Sequence, residues 1–280
     1  MKYFHLLRIN NPAGFFLLLW PTLTALVIAG KGSIDLNLLL IFILGCFVMR
    51  SLGCLINDFI DRDLDKKVQR TKNRPLANNS VSLKNALLLL ALLLSVALSL
   101  LTRLNMLCAY IAVIGFIMTV MYPCMKRITN FPQMFLGLVW SLSILMAYAA
   151  TINQLTASAF ILFFANFCLT VGYDTVYAIS DRKCDLEADI KSFAIYIEGN
   201  ECAVILAFKL LHILLMAIVG FLEDLGIYFW LSLLIFLVFS LIELGVVYSR
   251  KDAWCLRVFK LNQWPLFIGF LFTELSYINF

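Results

Sequence analysis

The sequence predicts an all-α, polytopic membrane protein. Of its 280 residues, 62% are hydrophobic and only 14% are charged, a balance that ordinary soluble domains do not show. Several apolar stretches reach the roughly 20 residues that an α-helix needs to cross a bilayer. None of them alternates apolar and polar residues as the strands of a membrane barrel do. We therefore expect residues 1–280 to form one transmembrane domain in the lipid bilayer, with no nucleic-acid ligand and no obligate protein partner.

Apolar runs separated by polar or charged segments predict nine membrane-spanning helices. Their approximate ranges are 14–30, 36–57, 83–101, 106–123, 133–150, 157–178, 202–221, 227–248 and 262–279. Because the number is odd, the two ends of the chain are expected on opposite sides of the membrane.

The basic residues are distributed unevenly between the two sets of loops. Of the 22 Lys and Arg residues, only Lys31 and Arg103 fall in loops that follow odd-numbered spans, while Arg50 and Lys209 lie within spans. Cytoplasmic loops of membrane proteins carry the excess of Lys and Arg. The amino terminus and the loops after even-numbered spans are therefore predicted to be cytoplasmic.

An acidic cluster closes the second span. It consists of Asn57, Asp58, Asp61 and Asp65. On a helix that advances about 100° per residue these four share one face, whereas Asp63 projects to the other side and is expected to be solvated. Carboxylates that lie close together in water-poor surroundings repel one another and lose hydration, so a hard cation would stabilise them. Taken alone, the cluster also fits a charged loop beside a membrane.

A second cluster follows the sixth span and repeats the four-residue step. It consists of Asp174, Tyr177, Asp181 and Asp185. Two carboxylate sets at the same side of a membrane are costly without a function. Mg²⁺ is the expected occupant, because it takes carboxylate and water oxygens and is typically shared with substrate phosphates.

Basic residues complete the pattern of a phosphate site. Lys126 and Arg127 follow Tyr122-Pro123, which is expected to end the fourth span. Arg50 lies seven residues before Asn57, about 20° away on the helical wheel and two turns deeper. The sequence shows no acidic span neighbour for Arg50, which suggests an anionic ligand.

Short motifs accompany these clusters along the chain. They are Arg8-Ile9-Asn10-Asn11-Pro12-Ala13-Gly14, Leu18-Leu19-Trp20-Pro21-Thr22, Met49-Arg50-Ser51-Leu52-Gly53-Cys54, Asn57-Asp58-x-x-Asp61-x-x-x-Asp65, Asn73-Arg74-Pro75-Leu76, Tyr122-Pro123-x-x-Lys126-Arg127, Pro132-Gln133 and Tyr173-Asp174-Thr175-x-Tyr177-Ala178-x-x-Asp181-x-x-x-Asp185. Together they resemble the UbiA superfamily of intramembrane prenyltransferases, and within it the branch that acts on 4-hydroxybenzoate. The resemblance covers about residues 8 to 265. Asn10-Asn11 stand where that branch usually has Asp-Lys.

The resemblance implies a fold of about nine helices around a central cavity, with lateral access for an isoprenoid tail and two Asp-rich motifs on the cytoplasmic side. It also implies transfer of a polyprenyl chain from polyprenyl diphosphate to C3 of 4-hydroxybenzoate, in ubiquinone biosynthesis. The implied location is the bacterial inner membrane.

Site roles also follow from the resemblance. The expected Mg²⁺ ligands are Asp58, Asp61, Asp65, Asp181 and Asp185. The expected catalytic residues are Asp61, Asp65, Asp181, Asp185 and Arg127. The diphosphate is expected to contact Asn57, Lys126, Arg127, Arg70 and Lys191. The aromatic substrate is expected to contact Arg50, Asn57, Tyr177 and Arg8.

Two other functions fit part of the pattern. A cation-coupled transporter would also use membrane carboxylates, but here they gather at the ends of spans, and the two halves show no paired Gly- or Pro-broken spans. A related prenyltransferase with another acceptor, such as a menaquinone precursor, stays open. Lys209 is expected to extend to the membrane surface, and Glu243 and Glu274 have no evident partner in the sequence.

Overall fold

The computed structural model describes residues 2–68, 71–250 and 252–278, and all regular elements in these ranges are helices. The helices are α1 (Lys2–Leu6), α2 (Ala13–Ala29), α3 (Leu36–Ile60), α4 (Arg62–Asp65), α5 (Leu83–Leu101), α6 (Met106–Ile128), α7 (Pro132–Ile152), α8 (Ala157–Glu187), α9 (Phe193–Tyr196), α10 (Glu201–Leu222), α11 (Ile227–Tyr248), α12 (Asp252–Leu261) and α13 (Gln263–Ile278). The predicted all-α class is confirmed.

Seven of these helices are long and apolar enough to cross a membrane, namely α3, α5, α6, α7, α8, α10 and α11. The apolar α2 has 17 residues and α13 has 16, and both pack among the longer helices. These nine helices correspond to the predicted spans. The ninth is preceded by α12, with Asn262 between the two helices.

Two helices run further than predicted. Tyr122-Pro123 does not end α6, because the helix continues through Pro123 to Ile128. A proline removes one backbone donor and disturbs the preceding turn, yet the remaining bonds carry this helix on for another turn. α8 continues without a break to Glu187, so the whole second acidic cluster lies on one helix.

The first cluster, by contrast, is not on one continuous helix. α3 ends at Ile60 and α4 begins at Arg62, with Asp61 between them at φ −93° and ψ 4°. The backbone N–H of Asp61 still donates to the carbonyl of Asn57 at 2.9 Å, and that of Asp65 donates to the carbonyl of Asp61 at 2.7 Å. The chain therefore stays close to helical, and the four polar residues keep their one-turn spacing.

Contacts between loops sort them to two ends of the helix bundle. At one end, which we call the acidic end, Lys126 forms an ion pair with Asp61, and the Lys191 N–H donates to the Lys126 carbonyl at 2.9 Å. At the opposite end, Lys31 of the α2–α3 connection forms an ion pair with Glu223, which follows α10. Loops after α3, α6 and α8 thus meet at the acidic end, as an odd-even arrangement of nine spans requires.

A fully buried polar network corrects the expectation for Lys209. Its side chain does not extend to the surface, since it is 0% exposed and its Nζ lies 2.7 Å from Oε2 of the equally buried Glu243. Lys209 also donates to Asn262 Oδ1 at 3.0 Å, and Asn262 Nδ2 donates to Glu243 Oε1 at 2.8 Å. The expectation that Glu243 lacks a partner was wrong because its partners come from other helices. Glu274 Oε2 is buried and has no hydrogen-bond partner among the described residues.

Candidate active site

A cavity of about 950 Å³ lies between α2, α3, α5, α6, α7 and α8. Its polar lining gathers at the acidic end, and most of its depth is apolar. Leu98 of α5 and Val113 and Ile117 of α6 line it although each is more than half exposed. These apolar side chains border an opening on the outer face of the bundle, where a spanning helix would meet lipid.

Two carboxylates of the first cluster share an arginine. Asp58 is completely buried, with Arg8 Nη2 at 2.7 Å and Arg74 Nη1 at 3.3 Å from its Oδ1. Arg74 Nη1 also lies 2.8 Å from Asp65 Oδ2 and 3.1 Å from its Oδ1. From the sequence, Arg74 is only one of several basic residues that follow the first cluster in the pattern of a phosphate site, and it is given no individual role. The signal that could have identified it is the motif Asn73-Arg74-Pro75-Leu76.

Asp61 is held by the end of α6. It is 0% exposed and forms ion pairs with Lys126 and with Arg127, whose Nη2 lies 3.2 Å from Asp61 Oδ1. Arg127 Nη2 also donates to the Ile60 carbonyl at 3.1 Å. The extension of α6 past Pro123 is what brings these two cations to the acidic cluster.

The cavity brings together part of each predicted cluster. Its lining at the acidic end comprises Asn57, Asp65, Lys126, Asp181, Asp185 and Lys191, together with Arg8 and Arg74. Asp58, Asp61 and Arg127 do not line it but lie behind this layer. Arg70 falls outside the described residues.

The donor chemistry of this end suits a hard cation. No group of three or more His, Cys, Asp or Glu side chains in the described ranges is arranged to hold a metal ion, because basic side chains occupy the first cluster's carboxylates. Among the described residues, however, no hydrogen-bond partner meets the buried Asp58 Oδ2. An orphaned, buried carboxylate oxygen beside further carboxylates fits Mg²⁺, which prefers oxygen ligands.

Deeper in the cavity lies the predicted Arg50. Its guanidinium carbon is 5.4 Å from the centre of the Trp140 ring, and it packs against Gly14 of α2. Arg50 also interacts electrostatically with Asp174 of α8, a residue that lines the same cavity. The expectation that Arg50 lacks an acidic neighbour was therefore wrong, since that neighbour comes from a helix far along the chain. Tyr177 lines the cavity as well, 5.0 Å from the Phe259 ring.

Two further polar residues that the sequence singles out, Asp63 and Asn10, are not part of the acidic lining described above. Asp63 is solvated as predicted, with its side chain 86% exposed, and a hydrogen bond from Lys66 at 2.6 Å lowers the pKa of its carboxyl. Asn10, which stands at a position where the resembling branch usually has a charge, has its Nδ2 2.9 Å from His5 Nδ1.

Comparisons with known proteins agree with this geometry. The UbiA prenyltransferase family matches residues 18–271. A "4-hydroxybenzoate octaprenyltransferase" of Shewanella frigidimarina is 45% identical over 276 residues, which cover 99% of this chain and 96% of that protein. The protein of the same name from Shewanella denitrificans is also 45% identical, over 99% of this chain and 94% of its own length.

Solved structures share the fold at low sequence identity. A UbiA homolog from Aeropyrum pernix K1 superposes with a TM-score of 0.79 at 18% identity, over 91% of this chain and 96% of its own. A UbiA homolog from Archaeoglobus fulgidus bound to GPP and Mg²⁺ superposes with a TM-score of 0.76 at 19% identity, over 100% of both chains.

Proposed function

Because the chain belongs to the UbiA prenyltransferase family, we propose that it transfers a polyprenyl chain from polyprenyl diphosphate to the ring of 4-hydroxybenzoate. The bond forms at C3, ortho to the hydroxyl, and diphosphate is released. Relatives that are 45% identical over nearly the whole chain carry the name of this activity. The observation that carries the proposal is a single cavity with a charged mouth and an apolar, laterally open depth, which matches a substrate with a diphosphate head and an isoprenoid tail.

The charged mouth would bind the diphosphate. Asp65, Asp181 and Asp185, which line the cavity, would hold Mg²⁺ together with Asp58 and Asp61 behind them, and the bound ion would supply positive charge for the leaving diphosphate. Lys126 and Lys191 line the same end and place positive charge where this negative charge grows. Asn57 offers an amide donor to the diphosphate, and Arg127 holds Asp61 in position from behind.

The apolar depth would protect the reactive intermediate. When the allylic carbon–oxygen bond breaks, its electron pair leaves with the diphosphate and an allylic cation remains. Apolar walls formed by residues such as Leu101, Ile111 and Leu136 would exclude water, which would otherwise hydrolyse the cation. The ring carbon C3 then donates its π electrons to form the new carbon–carbon bond, and the C3 proton passes to a base, a role for which the carboxylates of Asp181 and Asp185 line the same cavity.

Arg50 would bind the carboxylate of the aromatic acid. It lies two turns deeper on α3 than Asn57, so it is poorly placed for the diphosphate and well placed for an anion on the second substrate. A guanidinium can hold a carboxylate through two parallel hydrogen bonds. Tyr177 and Arg8 also line the cavity and complete the proposed acceptor contacts.

The reaction would take place on the cytoplasmic side of a bacterial inner membrane. The acidic end collects the segments that follow the second, fourth and sixth predicted spans, and these segments carry 12 of the 22 Lys and Arg residues. Such an excess of Lys and Arg is typical of cytoplasmic loops.

A transfer assay tests the proposal directly. Membranes that contain the protein are given labelled 4-hydroxybenzoate and octaprenyl diphosphate, and the labelled lipid product is extracted and measured. We expect product with Mg²⁺, none after EDTA, and recovery when Mg²⁺ is returned in excess. Transfer to a menaquinone precursor in place of 4-hydroxybenzoate would contradict the proposed acceptor, and full activity in EDTA would contradict the metal site.

A further inference from the structure

Asp174 is a carboxylate that the diphosphate site does not explain. It lies on α8 seven residues before Asp181, which places it about 10 Å deeper along the helix. Its half-buried side chain lines the cavity. Within the part of the chain that the structure describes, it accepts no hydrogen bond and forms no ion pair, although it interacts electrostatically with Arg50.

Arg50 and Asp174 both line the deeper part of the cavity, where aromatic side chains also lie. Trp140 lies beside the Arg50 guanidinium, and Tyr122 interacts electrostatically with both charged residues. In the described ranges, Arg50 likewise donates no hydrogen bond to protein. Two opposite charges in a low-dielectric wall, each without a hydrogen-bond partner, are costly unless a ligand supplies the missing partners.

The missing partners have a specific chemical pattern. A guanidinium has donors and no acceptor, whereas an ionised carboxylate has acceptors and no donor. A ligand that satisfies both must present an anionic group to Arg50 and an O–H or N–H donor to Asp174. A hydroxybenzoic acid has these two groups at opposite ends of a flat ring, and the ring would stack within the aromatic wall.

We propose that Asp174 accepts the hydrogen bond of the phenolic hydroxyl of the aromatic substrate while Arg50 binds its carboxylate, an inference that rests on the proposed function. When the ring carbon ortho to the hydroxyl attacks the allylic cation, positive charge spreads onto the hydroxyl oxygen. The carboxylate of Asp174 stabilises this charge through the same hydrogen bond, and the hydroxyl keeps its proton throughout. Asp174 is thereby a catalytic residue of the acceptor site and the residue that selects a ring with a donor opposite its carboxylate.

The test compares a substrate that has the donor with an analogue that lacks it. In the purified enzyme, we would measure the KM and kcat for 4-hydroxybenzoate, the inhibition constant of 4-methoxybenzoate, and the KM for octaprenyl diphosphate. For Asp174→Ala we expect kcat/KM for 4-hydroxybenzoate to fall on the order of 100-fold, because a buried hydroxyl loses its partner. The inhibition constant of 4-methoxybenzoate should stay the same or fall, and the KM for the diphosphate should change less than about twofold.

Two further variants make the result decisive. Asp63→Ala removes an equally charged but solvated residue and should leave all three constants unchanged. Asp174→Asn keeps the shape of the side chain, so if Asp174→Ala fails to fold, the Asn variant is expected to lose roughly tenfold in kcat/KM for 4-hydroxybenzoate without weakening 4-methoxybenzoate.

The outcomes separate this inference from the function on which it rests. A wild-type enzyme that does not prenylate 4-hydroxybenzoate overturns both. An active wild type whose Asp174 variants weaken 4-hydroxybenzoate and 4-methoxybenzoate equally, or weaken neither, overturns the role of Asp174 alone.

Discussion

Ion pairs at the acidic end join residues that are far apart in the chain. Asp61 pairs with Lys126, and Asp58 pairs with Arg8, so each buried carboxylate has a cation from another helix or from the amino-terminal segment. Removing one partner of a buried pair leaves the other charge uncompensated, which is strongly destabilising. Variants of Asp58 or Asp61 would therefore mix effects on folding with effects on turnover. Asp185, which is half-buried and lines the cavity, separates the two more cleanly.

We accordingly predict that Asp185→Ala lowers transfer by more than about 100-fold, the scale on which a lost transition-state interaction appears. Its midpoint of thermal unfolding in detergent should change by less than about 4 °C, because the side chain does not pack the core. Asp63→Ala is the matched control, since it removes an exposed carboxylate from the same end of the molecule. An Asp185→Ala enzyme with near wild-type turnover would remove the second cluster from the metal site.

Gly14 is where α2 makes room for the deep arginine. A Cβ at this position would lie 2.6 Å from Arg50 Nη2, a contact that real Cβ atoms do not make. The guanidinium is the far end of a flexible side chain, so it would move away and the fold would persist. The moving group, however, is the one proposed to bind the carboxylate of the aromatic acid.

Gly14→Ala is therefore expected to raise the KM for 4-hydroxybenzoate by about tenfold, the cost of roughly one hydrogen bond, with little change in the KM for the prenyl diphosphate. Gly45→Ala provides the control, because Gly45 lines the same cavity and a Cβ there meets no atom within 4 Å. Steady-state kinetics on both variants measure the KM for 4-hydroxybenzoate and the KM for the prenyl diphosphate. Equal changes in the two KM values for Gly14→Ala would mean that the substitution disturbs the cavity as a whole.

At the scale of single side chains, the sequence predicts some members of the site but not their partners on other helices. The spacing of Asn57, Asp65, Asp181 and Asp185 predicts that they share a site, and the cavity does bring them together. Spacing within one helix cannot reveal partners from other helices. For that reason the ion pair of Arg74 with Asp58 and the electrostatic interaction of Asp174 with Arg50 became apparent only in the folded structure.

At the level of helices, the junction between α12 and α13 is the clearest departure from a simple bundle of straight spans. Asn262 separates the two helices and bonds to both Lys209 of α10 and Glu243 of α11. Phe259, one turn earlier on α12, reaches the cavity and packs against Tyr177. The buried network therefore fixes the end of α12 that forms part of the cavity wall.

We predict that Glu243→Ala lowers the free energy of unfolding by about 3–5 kcal/mol, because it leaves the Lys209 ammonium buried without its counter-charge. The double variant Lys209→Met, Glu243→Leu should recover most of this loss, since it removes both charges and fills the space with apolar atoms. Reversible unfolding of the purified protein in mixed micelles measures both values. Glu274→Ala is the control, because Glu274 Oε2 has no partner among the described residues and its loss should cost little. A double variant no more stable than Glu243→Ala would contradict this account.

The sequence predicts the number and positions of the membrane helices but not all of their ends, and both results have physical causes. Apolar length identifies the nine spans because lipid requires about 20 apolar residues per helix. It does not reveal that Asp61 interrupts one helix or that α6 continues through Pro123, because backbone hydrogen bonds decide such local points. The extension of α6 shapes the acidic end, since it carries Lys126 to Asp61.

Across the whole molecule, many of the basic residues and both acidic clusters lie at the same end of the helix bundle. The end of α6 with Lys126 meets the loop with Lys191 where the acidic clusters lie, whereas Lys31 pairs with Glu223 at the other end. The acidic end therefore serves two requirements together. Some of its cations neutralise carboxylates or line the cavity, and under the proposed function they would also orient the chain in the membrane and bind a diphosphate.

This arrangement leads to a prediction about topology. Lys67 is exposed at the acidic end and Gln154 is exposed after α7 at the other end, so a cysteine at each position reports one side of the membrane. Gln154 is preferable to the neighbouring Asn153, whose φ of 55° is unfavourable for cysteine. None of the eight native cysteines is fully exposed, which keeps the background labelling of the wild type low.

An impermeant thiol reagent applied to intact cells should label Gln154→Cys and not Lys67→Cys, and permeabilised cells should show labelling of both. This pattern is expected because the segments at the acidic end carry the excess of Lys and Arg that is typical of cytoplasmic loops. Labelling of Lys67→Cys but not Gln154→Cys in intact cells would reverse the orientation and place the mouth outside. Labelling of both in intact cells would mean that the two loops share a side, which no bundle with loops at alternating ends permits.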